Sequence, residues 1–135
     1  MFRHGSVISS TCRNTLGSTG GSGGGIQIKS GSYNNTVRYC ATYDTKGPGI
    51  LVYDDNSNGV NVVDTNLVVN TQDNGIQYTS GVVVTNNVVI NAAAGGIAGS
   101  LNTLLGSSVR NVKVVGNTVY GTGGSAQCLY SPDIA

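Results

Sequence analysis

Residues 49–73 read GILVYDDNSNGVNVVDTNLVVNTQD, and residues 75–95 read GIQYTSGVVVTNNVVINAAAG. The second stretch repeats the first. Each opens on Gly-Ile, passes a polar turn, runs through valines to an asparagine, then through more valines to a second asparagine. Asn66 lies nine residues before Gly75, and Asn87 lies nine before Gly96. A constant offset of this kind marks a chain built from stacked copies of one structural unit.

The pattern extends both ways. Gly25-Ile26 opens an earlier copy in which Cys40 holds the asparagine position, nine residues before Gly49. Gly96-Ile97 opens a later copy with Asn117, lengthened by a loop over residues 99–108. Further back, Met1-Phe2 fits the Gly-Ile slot of a copy whose asparagine is Asn14, and the glycine-rich run GSTGGSGGG then stretches the link to Gly25. The Gly-Ile starts fall 24, 26 and 21 residues apart, so the repeat spans nearly the whole chain.

Composition excludes several alternatives. The 135 residues suit a single domain, 1–135. Only 10% are charged, Glu and Trp are absent, and no window carries apolar residues at helical spacing. Short apolar runs bounded by Gly, Asn, Asp and Ser predict strands and turns. A net charge of +1 from seven scattered basic residues is not a nucleic-acid footprint. No apolar segment reaches membrane-spanning length, and no charged-then-apolar leader opens the chain.

Each copy has room for three short strands. The first holds the Gly-Ile pair and its neighbours (Ile26 and Ile28, Ile50 and Val52, Ile76 and Tyr78). The second precedes the asparagine (Val63, Val82 and Val84, Val112 and Val114), and the third follows it (Val68, Val89, Val119). Three strands per 21–30 residues close one triangular coil. Like strands of successive coils then pair in parallel at about 4.8 Å, and Ile and Val stack inside. The expected fold is therefore all-β, a three-sheet parallel solenoid of about five coils. The chain opens within one coil and stops within another, and no polar cap is visible, so a fragment of a longer solenoid with open, self-associating ends is expected.

Asparagine tolerates the left-handed backbone of a tight corner and bonds turn groups through its amide. Stacking predicts a ladder of Asn14, Asn66, Asn87 and Asn117, with a looser column of Asp44, Asn70 and Asn91 four residues later. Gly-Ile strand, valine strand and asparagine corner together resemble the right-handed parallel β-helix proteins of the pectate-lyase-like superfamily. That resemblance covers about residues 1–130 and implies a right-handed β-helix, commonly one that acts on polysaccharide outside the cell.

Alternation along the Gly-Ile strand sends Ile26 and Ile28 inward and Gln27 and Lys29 outward. The expected outer surface is Arg3, Gln27, Lys29, Leu51, Tyr53, Gln77 and Thr79, with Arg3, Lys29 and Tyr53 on adjacent coils. A fixed cation pairs with a uronate carboxylate, and a tyrosine stacks on a sugar or moves a proton. Phe2-Arg3-His4-Gly5, and Lys29-Ser30-Gly31 with Asn35 and Arg38, are similar to the RHG and KS…N…R strings of chondroitinase-B and alginate-lyase type polysaccharide lyases. The resemblance implies β-elimination with Lys29 as base and Arg3 as acid, and Gln27, Tyr53, Gln77 and His4 as substrate contacts. The two strings stand in the reverse order of the family's. Solvated outer-face residues are the other reading of Lys29 and Arg3.

Residues 54–59, DDNSNG, match the opening of a calcium loop, which makes Asp54, Asp55, Asn56 and Asn58 candidate ligands. The twelfth position is Thr65 where a bidentate Glu belongs, and the string is equally ordinary turn chemistry. Asp73, Asp44 and Lys46 border the same sheet. Cys12, Cys40 and Cys128 are odd in number and lack metal-ligand spacing; Cys40, at a corner, reads as a buried free thiol. His4 is the single histidine, with no acidic partner for a hydrolase triad. Asn34-Asn35-Thr36 is a glycosylation sequon in a secreted eukaryotic protein. Two functions follow as expectations. One is a part of a lyase acting on acidic polysaccharide. The other is a non-catalytic extracellular glycan-binding or structural module.

Overall fold

Valine and isoleucine in short runs broken by Gly and Asn form short strands and little else. In the computed structural model, which describes residues 4–15, 17, 23–29, 31–53, 59–99 and 109–123 and the backbone of 129–130, no described residue is helical. The strands come in threes. β1 (Ser6–Ile8), β4 (Thr36–Arg38), β7 (Asn61–Asp64), β10 (Val82–Thr85) and β13 (Val112–Val115) form the first sheet. β2 (Thr11–Arg13), β5 (Ala41–Thr45), β8 (Leu67–Thr71), β11 (Val88–Ala92) and β14 (Thr118–Tyr120) form the second. The third is β3 (Ile26–Ile28), β6 (Ile50–Val52), β9 (Ile76–Tyr78), β12 (Ile97–Gly99) and β15 (Leu129–Tyr130). Every pairing is parallel, each strand bonding its equivalent in the next coil. This is the expected three-sheet solenoid.

Register stacks like on like in the interior. Ile26, Ile50, Ile76 and Ile97 stand in one column, and Val37, Val63, Val84 and Val114 in another. Ile50, Val52, Val63, Val68, Val82, Val84 and Val89 are wholly buried. Removing one such side chain from water is worth about 1.5–3 kcal/mol, and branched side chains with one strongly preferred rotamer stack without voids. Where bulk varies, the neighbour compensates: Tyr78 is in the core directly beside Gly99.

The glycine of each Gly-Ile pair has a steric cause. A side-chain carbon on Gly25 would lie 2.6 Å from the Gly49 carbonyl oxygen, and one on Gly75 would lie 2.6 Å from that of Gly96. On Gly49, Gly75 and Gly96 it would also strike Val68, Val89 and Val119 of the second sheet. The coil narrows here until only a hydrogen fits.

The asparagine ladder runs where the first sheet turns into the second. Ser9, Tyr39, Thr65, Asn86 and Gly116 turn that corner at positive φ, between 51° and 68°, and in the middle coils the next residue, Cys40, Asn66 or Asn87, is buried. Asn87 Oδ1 accepts from the Asn66 backbone N–H and from its Nδ2, both at 2.9 Å. Asn87 in turn donates from its backbone and its Nδ2 to Asn117 Oδ1, both at 2.9 Å. Each amide also donates to a carbonyl of the preceding coil, Asn66 to Val37, Asn87 to Val63 and Asn117 to Val84. Cys40 takes the same corner as a buried free thiol, accepting nothing through its side chain but donating from Sγ to Val7 and Arg38 carbonyls at 3.3 Å.

Asn14 does not belong to this ladder. Arg13 is in register with Tyr43, which puts Asn14 beside Asp44 in the outer column, at φ 52°. Ser10 holds the corner position of that coil, its carbonyl accepting from Ala41. Counting back across the glycine-rich insertion misplaced the corner by four residues, because both corners use asparagine, though for different reasons. The outer column holds left-handed backbone, whereas Asn66 and Asn87 follow a positive-φ residue and are kept by their amide bonds. The outer column itself is as expected, with Asn70 donating to Asp44 and Asn91 to Asn70.

A second inner amide stack was not foreseen. Asn35 donates from its backbone and Nδ2 to Asn61 Oδ1 at 3.1 Å, Asn35 Oδ1 accepts from Gly5, and Asn61 Nδ2 donates to the Ser32 carbonyl. Both asparagines are buried.

One core position goes against the pattern. Thr42 shares its column with Val68, Val89 and Val119 and is fully buried, and its hydroxyl has no hydrogen-bond partner among the described residues. Thr42→Val fills the same space without stranding a polar group. It is expected to raise stability by about 1 kcal/mol, read from the urea midpoint. A loss of that size instead would mean that the hydroxyl is satisfied.

Candidate functional site

The Gly-Ile strands put their alternate residues on the outer face of the third sheet, in the register Gln27–Leu51–Gln77–Ala98. This face is not the open polar strip that alternation predicts. Leu51 and Thr79, both expected on the surface, are only 1% and 2% exposed. Leu51 and Ala98 lie outside the main core cluster although buried, so this face holds covered apolar ground of its own. Gln27 and Gln77 are half-buried, and Lys29 is exposed. Strand alternation gives direction but not cover, which is why the sequence alone placed Leu51 and Thr79 in solvent.

Lys29 follows β3 and Tyr53 follows β6, so the two stand on adjacent coils. The Tyr53 N–H donates to the Ile28 carbonyl at 2.8 Å, which fixes the stagger. Lys29 Nζ lies 5.7 Å from the Tyr53 ring centroid, within reach of the ring's negative face. The turn beyond β3 closes with Ser32 donating to the Lys29 carbonyl at 3.1 Å. Gln77 Oε1 accepts from Asn74 Nδ2, and Asn74 Oδ1 accepts from Gly95, so Gln77 is tied to the turn that precedes its own strand.

His4, a substrate contact by the resemblance, turns the chain into β1 at φ 57°, and its N–H donates to the Tyr33 carbonyl. Its ring meets Tyr33 edge-on at 6.4 Å. Tyr33 belongs to the same β3–β4 connection as Lys29, and was not singled out from sequence. Its one signal there was an aromatic ring inside a run of turn residues.

The string that carries the lyase resemblance is spread over the coil. Lys29 directly follows a third-sheet strand, Asn35 is buried in the inner amide stack, and Arg38 projects from the first sheet. Arg38 Nε is 2.8 Å from Asp64 Oδ2. Arg3, the candidate acid, lies outside the described residues, as do Asp54, Asp55, Asn56 and Asn58 of the candidate calcium loop and Cys128. Among the described residues no three His, Cys, Asp or Glu side chains gather as a metal site, and no helix is long and apolar enough to cross a membrane.

Asp64 is the most perturbed acid described, and its surroundings are structural. The Thr85 hydroxyl donates to Oδ1 at 2.7 Å, and Asn86 and Thr65 add bonds at 3.0 and 3.1 Å. The Thr85 bond leads in holding this carboxyl below its ordinary range; partial desolvation opposes it, and Asn86, Thr65 and the Arg38 charge assist. A lowered folded pKa means stabilisation present above the unfolded value, about 3.9, and lost as pH falls through the folded one. Acid unfolding of Asp64→Asn is expected to depend less steeply on pH below about 4 than that of the wild type. Parallel curves would mean that the ionised form gains nothing from these contacts.

Three parallel sheets, each taking one strand from every coil, define a parallel β-solenoid. The family model described as right handed beta helix region matches residues 4–82, more than half of the 135 residues, and the chain belongs to that family. No curated protein matches the chain. No solved structure matches it either.

Proposed function

We propose that this β-helix engages acidic polysaccharide outside the cell, along the edge where its third sheet turns into the first. The observation that carries this reading is Lys29, exposed, with its ammonium 5.7 Å from the ring of Tyr53 on the next coil. A uronate needs a cation for its carboxylate and a flat apolar surface for its ring, and the pair offers both at once. Gln27 and Gln77 provide amides for sugar hydroxyls on the adjoining face. Gln27 and Gln77 stand on strands, and Lys29 and Tyr53 directly follow them, so the stack limits their freedom and reduces the entropy cost of binding.

The reaction that suits the pair is β-elimination. A base takes the proton from the carbon beside the carboxylate, the electron pair forms the carbon–carbon double bond, and the glycosidic oxygen leaves and is protonated. Lys29 is the base in this reading and reacts as its neutral amine, its ammonium form binding the chain without reacting. Arg3 is the proton donor, and Asp54, Asp55, Asn56 and Asn58 would hold a calcium ion that neutralises the carboxylate in place of the ammonium.

The protein is to be incubated with polygalacturonate, alginate and chondroitin sulfate, with and without calcium. Retention in polysaccharide-loaded gels and the ultraviolet absorbance of the unsaturated product are both read. Lys29→Ala is expected to weaken retention several-fold on acidic chains, since one exposed ionic contact is worth up to about 1 kcal/mol, and added salt to do the same. Product that disappears with Lys29 assigns the base. Equal retention of both proteins, or none on any acidic chain, overturns the proposal.

A further inference from the structure

The outer faces of the three sheets differ in chemistry. The first mixes Arg38, Asp64 and Lys113 with Ile8, Val62, Val83 and Val115, and the third carries Gln27 and Gln77 with Lys29 just beyond its strand. The second is apolar. Thr42, Val68 and Val89 point into the core, so the alternate residues point out. One outward column runs Arg13, Tyr43, Val69, Ile90, Tyr120 from β2 to β14. Beside it, Ala41, Leu67 and Val88 occupy the middle of a second column that begins at Thr11 and ends at Thr118. Among the described residues Arg13 is the one charge in these two columns, and the exposed Asp44 stands in the asparagine column beside them. Val88 is 37% exposed and Tyr120 73%.

We infer that this face docks a second copy of the chain, sheet against sheet. The argument is complementarity between its two ends. A cation stands at the β2 end and a widely exposed tyrosine ring at the β14 end, in the same column. A two-fold axis lying along β8 keeps the strands of the two copies parallel and reverses their coil order. Arg13 then meets Tyr120 of the other copy, Tyr43 meets Ile90, and Val69 meets itself. The second column pairs Ala41 with Val88 and Leu67 with itself.

Arg13 already lies 4.4 Å from the Tyr43 ring centroid and is itself exposed, so the second tyrosine closes over a cation held in place. Tyrosine and arginine at both ends of an apolar centre match the residue types that anchor protein interfaces. Facing sheets separated by about 10 Å accommodate such side chains. Five strands at about 4.8 Å and two columns make a patch of a few hundred Å2, below the ~800 Å2 per partner of a stable complex. The dimer is therefore weak and reversible, and forms only at high chain concentration.

This inference is independent of the polysaccharide reading, which uses the third sheet. The test is sedimentation equilibrium on the whole chain, in reductant to silence its cysteines, across micromolar to millimolar concentration. The wild-type mass is expected to rise toward that of two chains. Val69→Lys puts like charges face to face on the axis and is expected to weaken dimerisation at least tenfold, with an unchanged circular dichroism spectrum. Tyr120→Glu sets a carboxylate opposite Arg13 and is expected to keep or strengthen the dimer, whereas Tyr120→Glu with Arg13→Glu abolishes it. A wild type that stays monomeric throughout, a dimer indifferent to Val69→Lys, or loss of the dimer in Tyr120→Glu alone overturns the inference. So does glycan binding that follows Tyr120 while the mass stays that of one chain.

Discussion

Asn87→Ala is expected to cost roughly 3–5 kcal/mol, a large part of the 5–15 kcal/mol that holds a typical domain. The side chain is wholly buried and is used on both sides of its coil. Truncation leaves the Asn66 backbone N–H and Nδ2 without this acceptor, takes the side-chain donor from the Val63 carbonyl, and leaves Asn117 Oδ1 with the residue-87 backbone N–H alone. Each buried group left unpaired costs about 1–3 kcal/mol, and there is no room for water to replace the amide inside a stack of valines. The informative control is Asn91→Gly on the outer column. Asn91 is exposed, holds φ at 54°, and shares its column with Gly121 at φ 65°, so glycine is already accepted there. That change is expected to cost under about 1 kcal/mol. Urea denaturation of the two variants beside the wild type checks both values. Equal losses would mean that the inner ladder is no more than a row of turn residues.

Gly75→Ala is expected to lose about 3 kcal/mol for the addition of one methyl group, at the upper end of the usual cost of overpacking. No positive φ is involved, so backbone strain plays no part. The cause is room. The added carbon would strike Val89 and lie 2.6 Å from the Gly96 carbonyl oxygen, which accepts the ladder bond from Ile76 at 2.9 Å. A β-branched valine has no alternative rotamer of similar energy to adopt, and the carbonyl cannot move without breaking the sheet. Adding Val89→Ala should recover part of the loss but not all of it, because the carbonyl contact remains. Thermal melts of the single and double variants decide the matter. A Gly75→Ala melt within a degree or two of wild type would show that the coils slide apart more readily than this packing implies.

The Gly-Ile starts, the valine runs and the nine-residue offset from Asn66 and Asn87 made the solenoid legible, because each coil must present the same residues to its neighbour. The strands built on Ile26, Ile50, Ile76, Val63, Val84, Val68 and Val89 all fall where that periodicity puts them. Register failed once, at Asn14, where an insertion hid the count and a second corner used the same residue. The stacking of Asn35 on Asn61 escaped notice, although Asn35 was named in the lyase-like string and the sequon, because both sit at strand starts, where asparagine normally signals a turn in solvent.

The candidate site was less legible. Lys29 and Tyr53 come together as expected, since stagger between adjacent coils follows from the repeat. Whether a residue on the outer face is reachable depends on what folds over it, and no repeat encodes that. Leu51 and Thr79, placed outward by alternation, are buried. A cation near a tyrosine is also common in this chain, with Arg13 on Tyr43 and Arg38 near Tyr39 on the other sheets. What sets Lys29 apart is its place beside the glutamines of the third sheet.

The most direct measurement is an NMR titration of isotope-labelled protein with a short oligogalacturonate. Binding as proposed predicts shifts centred on Lys29, Tyr53, Gln27 and Gln77, weaker in high salt, with the second sheet's Val69 and Ile90 unmoved. Shifts confined to the second sheet, or none at saturating sugar, would contradict the account.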